Sequence, residues 1–257
     1  MKLVGNLSTN GFRAILFDLD GTLRHSRPHF AEAFIGIASR LGVTMTTEDR
    51  WRAERWLHKY WARSEELVAD RVTFDEDLEA FWSNHARRFL MALGCAPESA
   101  GELAPQAYQL MNDEFNPDDW VSPDVPPALE KLRNAGYQLA VLSNRMKPYQ
   151  EQLETLGLAP YFEFAMHAGE MEAWKPDPQI FERALQQVGA QPQETLYVGD
   201  NYYADVIGSR NAGLTPVLLD PDGLFPEADC TVIRGIGELP RLLGNNYKEH
   251  EGGTKGK

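Results

Sequence analysis

Residues 12–22 read FRAILFDLDGT, and this stretch decides the fold. Its mostly apolar part, 12–17, stops abruptly at two aspartates and a glycine. Apolar runs rich in β-branched and aromatic residues that end in this way are typical of a buried strand leading into a loop. The sequence therefore predicts a core strand with Asp18 and Asp20 just beyond its carboxyl end.

The second half of the chain repeats this pattern. After a breaker-rich stretch at 116–127, short apolar runs alternate with segments of helical periodicity. Alternation of this kind indicates a parallel α/β sheet, so we predict a Rossmann-like core. The predicted strands are 137–142, 161–166, 195–198 and 215–219, and the predicted helices are 127–135, 148–156, 180–188 and 203–212.

The segment between these two parts has a different character. A helix over 30–41 opens it, and no strand alternation follows up to about residue 115. We therefore predict an α-helical insert in an α/β core. The predicted boundaries are core 1–23, helical insert 24–121, core 122–244 and a disordered tail 245–257. Aromatic residues at helical spacing are interpreted as the core of the insert, with a substrate pocket as the alternative: Trp51, Trp56, Tyr60, Trp61 and Trp82.

Composition excludes several classes of partner. The 257 residues carry 25 basic and 38 acidic side chains, a net charge of −13. Such an acidic chain is a poor partner for nucleic acid or an anionic membrane, and no apolar run approaches the ~18 residues that span a bilayer. The two cysteines form no CxxC pair, so we expect no zinc site or disulfide and a cytoplasmic location.

Ligands of an open parallel sheet bind beyond the carboxyl ends of its strands. Clustered carboxylates repel one another unless a cation lies among them, and oxygen ligands without His or Cys favour Mg²⁺. The metal and an ammonium would neutralise a phosphoryl group, one carboxylate could attack its phosphorus, and another could move the proton. The side chains expected at this edge are Asp18, Asp20, Ser143, Asn144, Lys175, Asp200 and Asp205.

Four motifs stand in order at these positions. They are Asp18-Leu19-Asp20-Gly21-Thr22, Ser143-Asn144, Lys175-Pro176-Asp177 and Gly199-Asp200-Asn201-Tyr202-Tyr203-Ala204-Asp205. The chain thereby resembles phosphatases of the haloacid dehalogenase superfamily over residues 12–23 and 122–240. The helical insert matches the position of a C1-type cap, which in that superfamily closes over the site and selects the leaving group.

The resemblance implies a role for each aspartate. Asp18 would be the nucleophile that forms an aspartyl-phosphate, and Asp20 would act as general acid and then as general base. Mg²⁺ would be bound by Asp18, the carbonyl of Asp20 and Asp200, with Asp205 ligating through water or orienting a neighbour. Because a halide leaving group needs no proton, the presence of Asp20 argues against dehalogenation.

The resemblance also implies a phosphate-binding set. Ser143 and Lys175 would hold the phosphoryl group, and Thr22 and Asn144 are further candidates. The predicted function is a Mg²⁺-dependent phosphomonoester hydrolase acting on a small phosphorylated metabolite. A phosphomutase on the same scaffold, or a protein that binds a phosphate ligand without turnover, are the alternatives, and the sequence fixes neither the substrate nor the oligomeric state.

One position departs from the superfamily pattern. Many capped relatives read GTLxDS after the first motif, whereas this chain reads GTLRHS, with His25 at the acidic position. We interpret Arg24, His25 and Arg27 as a solvated hinge. The alternative is that they bind a second anionic group of the substrate.

Overall fold

A computed structural model describes Leu7 and residues 11–244, so the predicted tail lies outside the described residues. The strands are β1 (Ala14–Phe17), β2 (His25–Arg27), β3 (Asp118–Trp120), β4 (Gln138–Ser143), β5 (Phe164–His167), β6 (Thr195–Gly199), β7 (Thr215–Leu219) and β8 (Thr231–Ile233). The helices are α1 (Phe30–Arg40), α2 (Thr47–Trp61), α3 (Glu65–Phe74), α4 (Leu78–Ala92), α5 (Pro97–Glu114), α6 (Val125–Asn134), α7 (Gln150–Thr155), α8 (Ala168–Met171), α9 (Pro178–Val188), α10 (Gly208–Asn211) and α11 (Leu239–Leu242). Among these helices none is long and apolar enough to cross a membrane.

Six strands form one parallel sheet in the order β5-β4-β1-β6-β7-β8. The predicted α/β fold is thus confirmed, and β1 lies between β4 and β6. Phe17 of β1 is in register with Val141 of β4 and with Val198 of β6, so the three strands end at nearly the same level. The sheet contains one strand that we did not predict, β8, which is only three residues long.

Helices cover both faces of the sheet because its strands are buried on both sides. Along β1 the side chains alternate: Ile15 and Phe17 join one cluster, which includes Leu129 of α6, and Leu16 joins a second cluster on the other face. This second cluster includes Phe181 of α9. The result is a three-layer core whose strand ends are open at the edge where ligands bind.

Helices α1 to α5 of the helical insert build their own apolar core. Phe34 of α1 packs on Phe89 of α4, with ring centroids 4.7 Å apart. Tyr60 is fully buried in a satellite cluster, whereas Trp51 and Trp82 are partly exposed. The interpretation of the aromatic residues as core therefore holds for Tyr60 but not for all five.

A two-stranded antiparallel ribbon, β2–β3, carries the chain into and out of the helical insert. His25 pairs with Trp120 and Arg27 with Asp118, directly inside the predicted boundaries 24 and 121. Strands of three residues are too short to show an alternating pattern, which is why neither strand was predicted. The division of the chain into core and cap remains our proposal, and the ribbon supports it.

Candidate active site

The predicted strand-end residues meet at one edge of the sheet. Asp18 follows β1, and its backbone N–H donates to the carbonyl of Val198 in β6 at 2.9 Å. Ser143 is the last residue of β4, and Asp200 follows the last residue of β6. Since β1 lies between these strands, the three side chains are delivered to the same place.

Three carboxylates and one ammonium form the centre of the site. One oxygen from each of Asp18, Asp200 and Asp205 lies within 4.8 Å of the other two. Lys175 is 2% exposed, and its Nζ donates to Oδ1 of Asp18 at 2.6 Å and to Oδ1 of Asp205 at 2.7 Å. A third hydrogen bond, 2.9 Å long, joins Nζ to the hydroxyl of Tyr197.

The electrostatics of this centre favour a bound cation. Burial raises the pKa of Asp18 from 3.8 to about 7, although Lys175 acts in the opposite direction. Burial, followed by the charge of Asp18, also raises the pKa of Asp200 well above its ordinary value. Burial acts to lower the pKa of Lys175, but Asp18 and Asp205 outweigh it and hold that pKa above its usual range. Three carboxylates, two of them buried and that of Asp200 half-buried, face one ammonium, and carboxylate oxygens suit a hard divalent cation.

The loop after β1 is shaped by its contact with Asp200. Gly21 has φ +92°, and a Cβ there would clash with the carboxylate of Asp200, its Cγ lying 2.6 Å away. The buried hydroxyl of Thr22 donates to Oδ1 of Asp200 at 3.1 Å. Thr22 is not among the residues that line the cavity, so its placement gives no support to the predicted phosphate contact. It orients Asp200 instead.

Asn144 fixes the position of Lys175. Its side-chain Oδ1 accepts from the backbone N–H of Lys175 at 2.7 Å, and its Nδ2 donates to the Lys175 carbonyl at 3.0 Å. Both ends of the amide are therefore used in joining the second motif to the third. Ser143, at 2% exposure, lines the cavity beside Asn144 and remains available for the predicted phosphate contact.

The side chain of Asp20 lies outside the carboxylate triplet and is held by two arginines. Arg145 donates to both of its oxygens, each at 2.6 Å, and Arg24 donates to Oδ1 at 3.1 Å. Arg24 also pairs with Asp119 of the ribbon. Arg145 is not among the predicted site residues, although a cation directly after Ser143-Asn144 at a strand end is a signal that could have identified it.

Both carboxylate oxygens of Asp205 accept hydrogen bonds from the protein. Its Oδ2 accepts from the backbone N–H of Asn201 at 2.9 Å while its Oδ1 holds Lys175. Asn201 in turn caps a π-helical segment, Tyr202–Ile207, where a regular helix was predicted. Its Nδ2 donates to the carbonyl of His58 in α2 at 2.9 Å and so joins the fourth motif to the helical insert.

These groups form the floor of a cavity of about 380 Å³. Its roof comes from the helical insert, with His29 and Phe30 at the start of α1 and further residues of α2. Trp61, one of the aromatic residues interpreted as core, lies in this roof. The volume suits a small ligand and matches the size of ordinary small-molecule sites.

Arg24, His25 and Arg27 do not reach this cavity. Arg24 is engaged by Asp20 and Asp119, and the guanidinium of Arg27 stacks on Trp120 at 3.5 Å from the ring centroid. The ring of His25 lies 5.5 Å from Trp120. The three residues are part of the ribbon, which leaves the alternative of a second anion site without support.

Comparison with known proteins defines the class of protein. The sequence model of the haloacid dehalogenase-like hydrolases matches residues 12–213, and the chain belongs to that family and is a hydrolase. It is 30% identical to a phosphoserine phosphatase of Thermus thermophilus over 242 residues, covering 84% of this chain and 91% of the relative. It is 32% identical to a glyceraldehyde 3-phosphate phosphatase of Methanothermobacter thermautotrophicus over 248 residues, covering 90% of this chain and 99% of the relative.

Solved structures show the same fold. The chain is similar to a haloacid dehalogenase phosphatase from Thermococcus onnurineus, with 28% identity, a TM-score of 0.52, and coverage of 91% of this chain and 98% of that one. A 2-haloacid dehalogenase from Pseudomonas syringae matches with 24% identity, a TM-score of 0.52, and coverage of 90% and 98%. The fold and family expected from the four motifs are thus confirmed.

Proposed function

We propose that this chain is a Mg²⁺-dependent phosphomonoester hydrolase that acts on a small phosphorylated metabolite through an aspartyl-phosphate on Asp18. The observation that carries the proposal is the convergence of Asp18, Asp200, Asp205 and Lys175 at the floor of one cavity that the helical insert roofs. The phosphatase activities named for the Thermus and Methanothermobacter relatives support the same reaction class.

The donor set fits Mg²⁺. The carboxylates of Asp18 and Asp200 and the backbone carbonyl of Asp20 would hold the ion, while Asp205, with both oxygens engaged, would keep Lys175 and the fourth motif in place. When bound, the ion supplies positive charge that offsets the charge on the phosphoryl oxygens. Lys175 contributes a second, fixed positive charge from the protein.

Two displacements complete the proposed reaction. A carboxylate oxygen of Asp18 forms a bond to phosphorus as the ester P–O bond breaks, and Asp20 gives a proton to the departing alkoxide. Water then attacks the phosphorus of the aspartyl-phosphate, Asp20 takes up its proton, and phosphate and free Asp18 result. Ser143 and Lys175 bind the phosphoryl oxygens in both steps, and the helical insert keeps bulk water from the intermediate.

Purified protein incubated with p-nitrophenyl phosphate and a panel of small phosphate esters tests the proposal. We expect turnover with Mg²⁺, loss of turnover with EDTA, and loss in Asp18→Asn. Asp113→Asn, an exposed change of the same kind in α5, is the matched control and should retain full activity. Metal-independent turnover, or an active Asp18→Asn variant, would reject the mechanism, and an isomerised ester in place of free phosphate would identify a mutase.

A further inference from the structure

One side of helix α2 forms most of the cavity roof. Glu54, Leu57, His58 and Trp61 line the cavity, and their spacing of three, one and three residues places them on a single helix face. The remaining roof residues come from the start of α1. This face of α2 therefore lies opposite the phosphoryl-binding floor. The alcohol part of a bound ester would lie against this face.

The cations that line the cavity are already neutralised by carboxylates. Lys175 is bound by Asp18 and Asp205, and Arg145 is bound by both oxygens of Asp20. Among the lining residues five side chains are acidic, the four aspartates of the motifs and Glu54, and two are basic. A ligand with a second anionic group, beyond the phosphate, finds no unpaired cation in this lining to receive it.

Glu54 is the acidic side chain of the roof. It is half-buried, and burial together with the carboxylate of Asp222 raises its pKa, against a smaller effect of Arg50. A second carboxylate brought close to Glu54 would add repulsion in a partly desolvated place. A hydroxyl or an ammonium would instead donate a hydrogen bond to it.

His58 lies one turn further along the same face. Its Nδ1 is buried and has no hydrogen-bond partner within the described part of the chain. Its ring is held edge-on against Phe225, with centroids 5.3 Å apart, and burial lowers its pKa to about 4, so the imidazole is neutral at physiological pH. Because His58 lines the cavity, its neutral imidazole is available as a hydrogen-bond partner for the alcohol part of a ligand.

We propose that the Glu54–His58 face of α2 is the leaving-group subsite and that it selects esters whose alcohol carries a hydrogen-bond donor and no second anion. This inference rests on the proposed function and adds the class of substrate to it. The donor is either a hydroxyl group, as in a polyol phosphate, or an ammonium group, as in an amino-alcohol phosphate. Both satisfy the Glu54 carboxylate, and the experiment distinguishes them.

The test compares kcat/KM for three esters: glycerol 3-phosphate, phosphoethanolamine and phosphoglycolate. We expect the kcat/KM of the wild type to be about tenfold or more higher for one of the two donor-bearing esters than for phosphoglycolate. This ratio corresponds to a difference of ~1.4 kcal/mol in binding the transition state. Glu54→Gln should reduce this ratio at least about fivefold. His58→Gln offers a second variant, which should lower kcat/KM for the preferred ester more than for phosphoglycolate.

Glu48→Gln is the matched control, because it removes a carboxylate from the same helix at an exposed position outside the cavity lining. It should leave the ratio unchanged. The proposed subsite is rejected if the wild type hydrolyses p-nitrophenyl phosphate but has the same ratio of kcat/KM values, donor-bearing ester to phosphoglycolate, as Glu54→Gln. It is also rejected if the wild type prefers phosphoglycolate. Failure of the wild type to hydrolyse any ester with Mg²⁺ would instead reject the proposed function itself.

Discussion

The guanidinium of Arg145 donates two hydrogen bonds to the carboxylate of Asp20, from Nε to Oδ2 and from Nη2 to Oδ1, each 2.6 Å long. The two residues are 125 positions apart in the chain, and Arg145 is itself braced by Gln152 of α7. Bidentate pairs of this kind fix direction as well as distance. Arg145 is therefore placed to orient the side chain that we propose as proton donor.

Replacing Arg145 by Met should impair the transfer of a proton to the leaving group. We expect kcat/KM, which reports the steps up to release of the alcohol, to fall by about 10- to 100-fold for glycerol 3-phosphate, whose alkoxide needs the proton. For p-nitrophenyl phosphate, which has a good leaving group, the fall should be less than about threefold. Steady-state kinetics with the two esters measures the difference.

Arg40→Met is the control for this comparison. Arg40 makes an equally regular two-pronged pair with Glu114, but on the exposed surface of the helical insert. Its loss should leave both esters unaffected. Equal losses for the two esters in Arg145→Met would mean that Arg145 does not act through Asp20.

Gly21→Ala should weaken metal binding. The added Cβ would meet the carboxylate of Asp200, and the φ of +92° is itself unfavourable for alanine. We expect Mg²⁺ affinity, measured by isothermal titration, to fall about tenfold or more as Asp200 is displaced. Gly36→Ala in α1, where the new methyl group meets nothing within 4 Å, should instead stabilise the protein by about 0.5–1 kcal/mol. An unchanged affinity in Gly21→Ala would contradict the role of Asp200.

Tyr197→Phe should lower the stability of the protein. The buried hydroxyl of Tyr197 accepts from Nζ of Lys175 at 2.9 Å and donates to the carbonyl of Leu142 at 3.0 Å. Its removal leaves both groups short of a partner, which we expect to lower the free energy of unfolding by about 1–3 kcal/mol. Tyr202→Phe, which loses an exposed 3.3 Å hydrogen bond to Asp229, should change it by less than about 0.5 kcal/mol in urea titrations.

Acid should destabilise the protein through His85, which is 1% exposed in the helical insert. Its ring lies 5.1–5.8 Å from five aromatic rings, those of Phe30, Trp56, Tyr60, Trp61 and Trp82. Burial lowers its pKa from 6.5 to about 4. Between these two pH values the unfolded chain binds a proton at His85 that the folded chain does not, so stability falls as the pH falls.

At pH 5 this one residue should account for about 2 kcal/mol of lost stability. His85→Leu removes the titrating group, so the difference between its free energies of unfolding at pH 7.5 and pH 5 should be smaller than that of the wild type by about this amount. Urea unfolding followed by tryptophan fluorescence measures both. An identical acid sensitivity in the two proteins would show that His85 takes up no proton on unfolding.

Much of the core was readable from the sequence because its signals are local. The runs before Asp18, Ser143 and Asp200 are buried on both faces, so they are largely apolar and end sharply at polar residues. Parallel pairing then brings the three ends together without further information. The prediction of the α/β sheet and of its ligand-binding edge needed nothing else.

The remaining features depend on contacts that no local pattern records. The partner of Arg145 is distant in sequence, and Tyr197 read as an ordinary strand residue because its hydroxyl meets Lys175 only in the folded chain. The sequence of the π-helical segment 202–207 carries no pattern that distinguishes it from an α-helix. The contribution of Glu54 and His58 to the cavity is set by how α2 docks, which periodicity cannot specify.

The ribbon of β2 and β3 has a consequence for how this architecture can change. Because His25 and Trp120 are paired neighbours, the helical insert leaves and rejoins the core at a single point. Replacing the segment between these strands with a different domain would therefore require little change in the sheet, since the two attachment points are already side by side. Chimaeras grafted at this junction should keep the catalytic floor while acquiring a new roof, which offers a route to redesigned selectivity.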